Sequence, residues 1–294
     1  MDTSRVASYA SHMTTSRRVD TLARPEGRIA YETLRPDGPA RGLVLALPGM
    51  GDLRSSYRFL APALAAAGSR VVSADLRGHG DSDTGFGRYG DEPTAEDAVA
   101  LLEHLAADDG PVTVVGTSMS AGAAVIAAAR RPDLVQRLVL VGPFVRDHGP
   151  VAARLLLRAA LAPAWAARSW GAYLPRLYAG RRPADLDAHV AAVVASLRRP
   201  GYAAAFSRTA RTRHDVAEAA LPGVRADVLV VMGRRDPDFP DPEAEARWIA
   251  DRVGGRVVLV DDAGHYPHVQ RPDVVTPAVL AFLDGTPARG AAGA

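Results

Sequence analysis

The chain contains no cysteine, no lysine and no asparagine among its 294 residues. Without cysteine, disulfides, cysteine-ligated zinc and thiol catalysis are excluded. Without lysine, Schiff-base chemistry and a lysine-bearing phosphate loop are excluded as well. All 35 basic residues are therefore arginines.

Long hydrophobic runs are also missing. No segment is apolar over the length that crosses a bilayer, and residues 1–18 lack the apolar core of a signal peptide. We therefore expect a cytoplasmic protein without a transmembrane segment. The formal net charge is only +2, which does not favour binding to nucleic acid. Residues 1–18 are expected to be a disordered leader, with Ser11-His12-Met13 resembling a tag remnant, and residues 286–294 a frayed tail.

Short apolar runs alternate with helical segments along most of the chain. Runs that are apolar throughout, rather than at every second residue, indicate strands buried on both faces, and hence a parallel sheet with helices on each side. A helix is predicted to begin at Thr94 as its N-cap, with Asp97 completing the capping pattern. The predicted strands are 28–34, 43–47, 70–74, 112–115, 137–141, 228–232 and 257–260.

The region between residues 150 and 213 has a different pattern. It shows no strand, and the ranges 151–170, 184–199 and 202–213 are predicted to be helical. We expect an α/β core formed by residues 19–148 and 214–285, with a helical cap at 149–213 inserted over the sheet.

A predicted strand at 112–115 runs directly into small residues around Ser118 and then into an Ala-rich helix. A tight strand-to-helix turn at a serine is typical of a nucleophile elbow, which exposes the hydroxyl at the positive end of a helix. A second register would centre the same pattern on Ser120. We favour Ser118, because it lies two residues after Gly116, where the apolar strand ends.

Two further residues follow late strands. Asp236 comes after the strand at 228–232, and His265 comes after the strand at 257–260. Since parallel strands direct their carboxyl ends to one edge, both side chains are expected near Ser118. His265 would remove the proton of Ser118, and Asp236 would orient the imidazole. Asp147 and Asp238 remain alternative acids.

The glycine-rich segment Leu47-Pro48-Gly49-Met50-Gly51 follows an earlier strand. Glycines allow backbone N–H groups to point inward. The amides of Met50 and Met119 are therefore predicted to form an oxyanion hole.

Residues Asp75-Leu76-Arg77-Gly78-His79-Gly80-Asp81-Ser82 resemble the D-x-R-G-x-G-x-S signature of the α/β-hydrolase superfamily. Together with the elbow, Pro48-Gly49, Asp236 and Gly264-His265, the resemblance covers most of residues 30–283. It implies an eight-stranded, mostly parallel sheet with a helical cap after the sixth strand. Two positions differ from the usual pattern: Pro48 replaces a histidine, and Ser120 replaces the second glycine of the elbow.

The predicted cap is rich in arginine and aromatic residues. Residues 151–213 carry eleven arginines against two aspartates, a net charge of +9. Solvated helix faces or an acidic partner, such as an acidic carrier protein, a carboxylate substrate or an anionic lipid surface, would each account for this charge. The residues expected to line or border the substrate pocket are Trp165, Trp170, Tyr173 and His268.

These features predict a cofactor-free serine hydrolase that acts on a carboxylic ester or acyl substrate. Thioester, lactone and C–C hydrolysis use the same triad and remain alternatives, as does a non-catalytic ligand-binding protein on the same fold. The other histidines show no metal-ligand spacing, so no metal site is predicted.

Overall fold

The computed structural model describes residues 18–105, 110–147 and 151–285. Within these residues, eight strands form one sheet. Its members are β1 (Val19–Arg24), β2 (Gly27–Leu34), β3 (Leu43–Leu47), β4 (Arg70–Ala74), β5 (Val112–Thr117), β6 (Arg137–Val141), β7 (Asp227–Gly233) and β8 (Arg256–Val260).

The strand order in the sheet is β1-β2-β4-β3-β5-β6-β7-β8. β1 and β2 form an antiparallel hairpin, β2 runs antiparallel to β4, and every later pair is parallel. In the centre, Leu45 of β3 lies opposite Val72 on one side and Val114 on the other. The carboxyl ends of β3 to β8 therefore meet at one edge, where open α/β sheets place their ligand sites.

Helices cover both faces of the sheet, and five of the described helices lie between β6 and β7; the first four of these five form one group. We call this group, Val151–Thr209, the helical insertion. The helices are α1 (Leu60–Ala66), α2 (Asp91–Leu105), α3 (Met119–Arg130), α4 (Val151–Ala160), α5 (Ala166–Leu177), α6 (Leu186–Leu197), α7 (Tyr202–Thr209), α8 (Asp215–Ala220), α9 (Pro242–Val253), α10 (Pro267–Gln270) and α11 (Pro272–Leu283).

The core consists of two apolar layers, one on each face of the sheet. Helices α2, α3 and α9 pack on one face, and α1 and α11 pack on the other. Strands β3, β4 and β5 are buried along their whole length, as expected of central strands covered by helices on both faces. The predicted eight-stranded, mostly parallel sheet flanked by helices is confirmed.

A third apolar cluster joins the helical insertion to the core. Trp170, Leu174 and Phe206 of the insertion pack with Tyr266 and Val269, which follow β8. The insertion is therefore held over the carboxyl-end edge of the sheet. The exact division of the chain into core and cap remains a prediction. The predicted leader apart from Arg18, the predicted tail and the predicted core–cap boundary near residues 148–150 lie outside the described residues.

Two local predictions are wrong. Helix α2 begins at Asp91, not after Thr94; Thr94 is a buried interior residue, and Asp97 forms ion pairs with Arg24 and Arg77 instead of capping the helix. The helix predicted over 151–170 is interrupted between α4 and α5, where Pro163 cannot donate a helical hydrogen bond. The sequence pattern also did not predict β1 or α8.

Candidate active site

Ser118 occupies a strained turn between β5 and α3. Its φ of 58° and ψ of −124° lie in a region that non-glycine residues rarely adopt. The turn requires small neighbours: a Cβ on Gly116 would lie 2.4 Å from the carbonyl oxygen of Ser120, and a Cβ on Gly49 would lie 3.1 Å from the Cβ of Ser118. This is the geometry expected of the elbow in the Ser118 register.

Ser120, the alternative nucleophile, lies inside the first turn of α3. It is fully buried, and its hydroxyl donates a hydrogen bond of 2.5 Å to the carbonyl oxygen of Pro48. Ser118 is partly exposed, and its hydroxyl has no hydrogen bond within the part of the chain that the structure describes. Of the two serines, only Ser118 has a hydroxyl available to a ligand.

His265 and Asp236 form a buried pair after β8 and β7. Nδ1 of His265 lies 2.7 Å from Oδ2 of Asp236, and the side chains are 1% and 0% exposed. Burial disfavours the protonated ring, but the charge and hydrogen bond of Asp236 outweigh it and raise the pKa of His265 to about 9. The other oxygen of Asp236 accepts the N–H of Asp238 at 3.0 Å, which fixes the carboxylate.

Ser118 and His265 each lie against the end of β6. The N–H of Ser118 donates to the carbonyl oxygen of Val141 at 2.9 Å. A Cβ on the next residue, Gly142, would lie 3.1 Å from Nδ1 of His265, so glycine is required for the ring to fit. The structure thus brings His265 and Asp236 into direct contact and places Ser118 beside the same strand end, without a Ser118–His265 hydrogen bond within the described residues.

The two alternative acids occupy different positions. Asp238 lies close to the pair, with Oδ2 at 3.9 Å from Nδ1 of His265. Its Oδ1 accepts a hydrogen bond from the hydroxyl of Tyr173, and burial raises the pKa of Asp238. Asp147 instead accepts the N–H of His214 at 3.2 Å. Asp236 therefore has the shortest contact with the imidazole.

Two backbone amides flank Ser118. Met119 is the first residue of α3, where an N–H has no helical partner. Met50 lies in the turn after β3, and within the described residues neither amide donates a hydrogen bond. The neighbouring N–H of Gly51 is held at 3.0 Å by Nε2 of His79. Both N–H groups are thus available to a ligand, and Gly49, the residue before Met50, packs against Ser118.

His79 connects the signature segment to the loop after β3. Its Nδ1 lies 2.8 Å from the carbonyl oxygen of Arg77, so Nδ1 carries the proton and Nε2 accepts from Gly51. Burial lowers the pKa of His79 and keeps the ring neutral. The signature segment thereby fixes the loop that carries Met50.

The four predicted pocket residues have different environments. Trp170 is buried and donates at 2.7 Å to the carbonyl oxygen of Gly51, and Tyr173 contacts Asp238. His268 is buried against the ring of Tyr57, with centroids 5.2 Å apart. Trp165 is 51% exposed and donates to the carbonyl oxygen of Ala159 within the insertion. Trp170 and Tyr173 are thus joined to the two loops of the site, whereas Trp165 faces solvent.

A buried carboxylate–imidazole contact that sequence reasoning missed lies next to the loop that carries Met50. Oδ1 of Asp52 is 2.8 Å from Nε2 of His189 on α6, and both side chains are nearly inaccessible. Burial opposes the charge of Asp52, but His189 outweighs it and lowers the pKa of the carboxyl group. The only sequence feature that could have indicated this contact is the position of Asp52 directly after Gly51.

A model of the Alpha/beta hydrolase family matches residues 43–278. The chain belongs to this family. A monoacylglycerol lipase from Mycolicibacterium smegmatis is 28% identical over 249 residues, covering 79% of this chain and 82% of the lipase. A 2-hydroxymuconate semialdehyde hydrolase from Pseudomonas putida is 29% identical over 254 residues, with 80% of each chain covered. The crystal structure of an enol-lactonase from Burkholderia xenovorans LB400 matches with a TM-score of 0.75 and 25% identity, covering 90% of this chain and all of the lactonase.

This hydrolase also has a groove beside the site. A cavity of about 500 Å³ lies between the turn at Arg54–Tyr57 and helix α6, and Ser118 and His265 do not line it. Its arginines already have partners: Arg54 pairs with Asp75, and Arg58 pairs with Asp185 through two hydrogen bonds of 2.6 and 2.8 Å.

Three groups of the hydrolase site are spaced closely enough to hold a metal ion. One ligand atom each from Asp236, Asp238 and His265 lie within 4.8 Å of one another. These side chains already bond to one another and to Tyr173. Among the described helices of the hydrolase, none combines the length and hydrophobicity needed to cross a bilayer.

Proposed function

We propose that this hydrolase cleaves carboxylic esters through an acyl-enzyme formed on Ser118. The observation that carries the proposal is the partly exposed hydroxyl in a strained turn, beside a buried Asp236–His265 pair. A serine is a weak nucleophile until a neighbouring base takes its proton. His265 is the base in reach of that strand end, and Asp236 holds its Nδ1–H.

The proposed reaction has two halves. Nε2 of His265 takes the proton of Ser118 while Oγ bonds to the ester carbonyl carbon, and the ring then protonates the departing alcohol oxygen. In the second half, His265 takes a proton from water, the hydroxide attacks the acyl carbon, and Ser118 leaves with that proton restored. Asp236 stabilises the imidazolium in both halves and stays ionised.

The amides of Met50 and Met119 would bind the carbonyl oxygen when it becomes negative. Losing one such donor typically lowers turnover about 10²–10³-fold. The bond from His79 to Gly51, together with the bond from Ser120 to Pro48, supports the loop that holds Met50. Pro48, which replaces the usual histidine of the family, is thus held in place by a hydrogen bond to its carbonyl oxygen.

The helical insertion would act as a cap over this site. Its Trp170 bonds to Gly51 beside one proposed donor, and its Tyr173 bonds to Asp238 beside the proposed base. The cap therefore encloses the pocket from the side opposite the sheet, where apolar and aromatic side chains would contact the acyl group.

Ester hydrolysis is tested by comparing Ser118→Ala with Ser120→Ala on a panel of p-nitrophenyl esters with acyl chains of two to twelve carbons. The Ser118 variant should lose about 10⁴–10⁶-fold in kcat. The Ser120 hydroxyl bonds to Pro48, so its variant loses only an indirect support of the Met50 loop and should lose far less activity than the Ser118 variant. Loss of activity in the Ser120 variant alone would move the nucleophile, and inactivity of the unmodified chain on every ester would reject this substrate class.

The same panel includes thioesters and lactones, since the named relatives comprise a lipase, a semialdehyde hydrolase and an enol-lactonase. A preference of at least 100-fold in kcat/KM for a thioester or lactone over the matched ester would replace the ester assignment while keeping the triad. Binding of substrate without turnover would favour the non-catalytic alternative.

A further inference from the structure

The described surface has a concentration of exposed apolar side chains on and beside helix α4. Leu155 is 56% exposed, Leu156 is 71% and Leu157 is 42%. Trp165 is 51% exposed, and its indole N–H donates at 2.8 Å to the carbonyl oxygen of Ala159, which places the ring at the end of the same helix. Large exposed apolar groups that cluster in this way mark an interaction surface.

The charge around these side chains has one sign. Between Asp147 and Asp185 the chain carries six arginines and no aspartate or glutamate. Arg158 on α4 and Arg168 on α5 are exposed, and neither has an ion pair within the described residues. We call Leu155, Leu156, Leu157, Trp165, Arg158 and Arg168 the docking patch.

The geometry of the leucines selects among possible partners. Three consecutive helical residues point about 100° apart, so their side chains spread over roughly 200° of the helix surface. A groove in a folded protein contacts one face of such a helix, whereas fluid hydrocarbon can surround all three side chains. A second copy of this chain would bring arginines against arginines, because a two-fold interface places the same patch on both sides.

We propose that the docking patch binds the surface of an anionic lipid bilayer. Leucines and a tryptophan entering the interface, with arginines directed toward lipid phosphates, are the composition of a helix that lies in the membrane surface. Neutral lipid should bind more weakly, because it removes the electrostatic part of the attraction.

The location of the patch gives this binding a role, and this part rests on the proposed function. Helix α4 follows the strand whose end contacts His265, and it precedes α5, which bonds to Gly51 and Asp238. A bilayer bound at α4 therefore lies next to the helix that contacts both loops of the site, at Gly51 and at Asp238. The substrate class that fits is a water-insoluble ester held in the lipid phase.

Vesicle sedimentation tests the proposal independently of turnover. The full chain carrying Ser118→Ala is mixed with sucrose-loaded vesicles of phosphatidylglycerol or phosphatidylcholine, at 0.05 and 0.5 M NaCl. We expect binding to phosphatidylglycerol that is at least tenfold tighter than to phosphatidylcholine and weaker at high salt. Leu156→Glu should reduce it at least tenfold, because it places a charge in the apolar interface.

Val19→Glu is the matched control, since Val19 is a 39% exposed apolar residue on the edge strand β1, five strands away from β6. It should bind vesicles like the parent, and equal melting temperatures of the two variants would exclude unfolding.

No binding to phosphatidylglycerol, or equal losses of binding in both variants, would overturn the proposal. Binding of an acyl carrier protein without vesicle binding would assign the patch to an acidic protein. A dimer that Leu156→Glu dissociates would assign it to a second copy.

Activity on two kinds of ester distinguishes failure of the lipid-binding proposal from failure of the proposed function. On short water-soluble esters, Leu156→Glu in the active chain should keep the kcat/KM of the parent, whereas on esters dispersed in phosphatidylglycerol vesicles it should lose at least tenfold. Vesicle binding without hydrolysis of any ester would leave the docking patch in place and reject the ester assignment.

Discussion

The hydroxyl of Tyr173 donates a hydrogen bond to Oδ1 of Asp238, whose other oxygen lies 3.9 Å from Nδ1 of His265. Tyr173 belongs to the helical insertion, and Asp238 belongs to the loop after β7. The imidazole therefore faces two carboxylates, one in direct contact and one held nearby by the insertion. Because Tyr173 of the insertion holds Asp238, the pKa of His265 should depend on the position of the insertion.

The pH dependence of turnover should report both carboxylates. His265 must be neutral to take a proton, and its pKa is raised to about 9, so kcat/KM should rise with pH toward that value. Asp238→Asn removes one of the charges that raise this pKa and should move the midpoint to lower pH. Tyr173→Phe keeps the charge and should shift the midpoint less. Identical profiles for the parent and Asp238→Asn would show that Asp238 does not act on the ring.

Stability should change over the same pH range in the opposite direction. The pKa of His265 is raised from 6.5 in the unfolded chain to about 9 in the folded one. The folded state therefore binds the extra proton, and its stabilising effect is complete below pH 6.5 and is lost as the pH rises through 9. Urea titrations at pH 6, 7.5 and 9 should show a falling free energy of unfolding. In His265→Gln this fall should be smaller, and an equal fall in both proteins would contradict the assignment.

His268 should have the opposite effect at acid pH. It is 1% exposed, neither ring nitrogen has a partner in the described structure, and burial lowers its pKa to about 3. The unfolded chain binds this proton first, so stability is present above pH 6.5 and is lost as the pH falls toward 3. His268→Phe removes the buried polar atoms and should raise the melting temperature more at pH 5 than at pH 8. An equal decrease in melting temperature at both pH values would instead show that the shape of the His268 ring contributes more to stability than its protonation.

The Asp52–His189 pair should matter for anchoring the insertion. Removing one partner of a buried ion pair leaves an uncompensated charge, which typically costs about 3–5 kcal/mol. His189→Ala should therefore lower the free energy of unfolding by about that amount. The exposed His104→Ala serves as the control and should change it little. A loss below about 1 kcal/mol in His189→Ala would show that Asp52 finds another partner or a proton.

The sequence was sufficient to predict the parallel strands β3 to β8 and the elbow, because both depend on local patterns. Uninterrupted apolar runs identify strands buried on both faces, and a positive-φ serine tolerates only small neighbours such as Gly116. Asp236 and His265 were predicted for a related reason, since each follows a strand whose carboxyl end must reach the same edge. Whether these three residues act as a triad remains a prediction.

The contacts of the insertion could not be predicted in the same way. Tyr173 and Asp238 are separated by 65 residues, and His189 and Asp52 by 137. Neither spacing has a periodicity, because these pairs form only when the insertion packs on the core. The wrong N-cap at Thr94 has a similar cause: Asp97, which would have completed the cap, is occupied by arginines from elsewhere in the chain.

The most direct test of the account is the site of covalent labelling by a fluorophosphonate. Trypsin cuts this lysine-free chain only at arginine, so Ser118 and Ser120 fall in one peptide, residues 89–130. Backbone fragmentation on either side of Met119 separates the two serines in the mass spectrum. The account predicts a single adduct on Ser118 that disappears in His265→Ala. An adduct on Ser120, or no adduct in a folded chain, would contradict it.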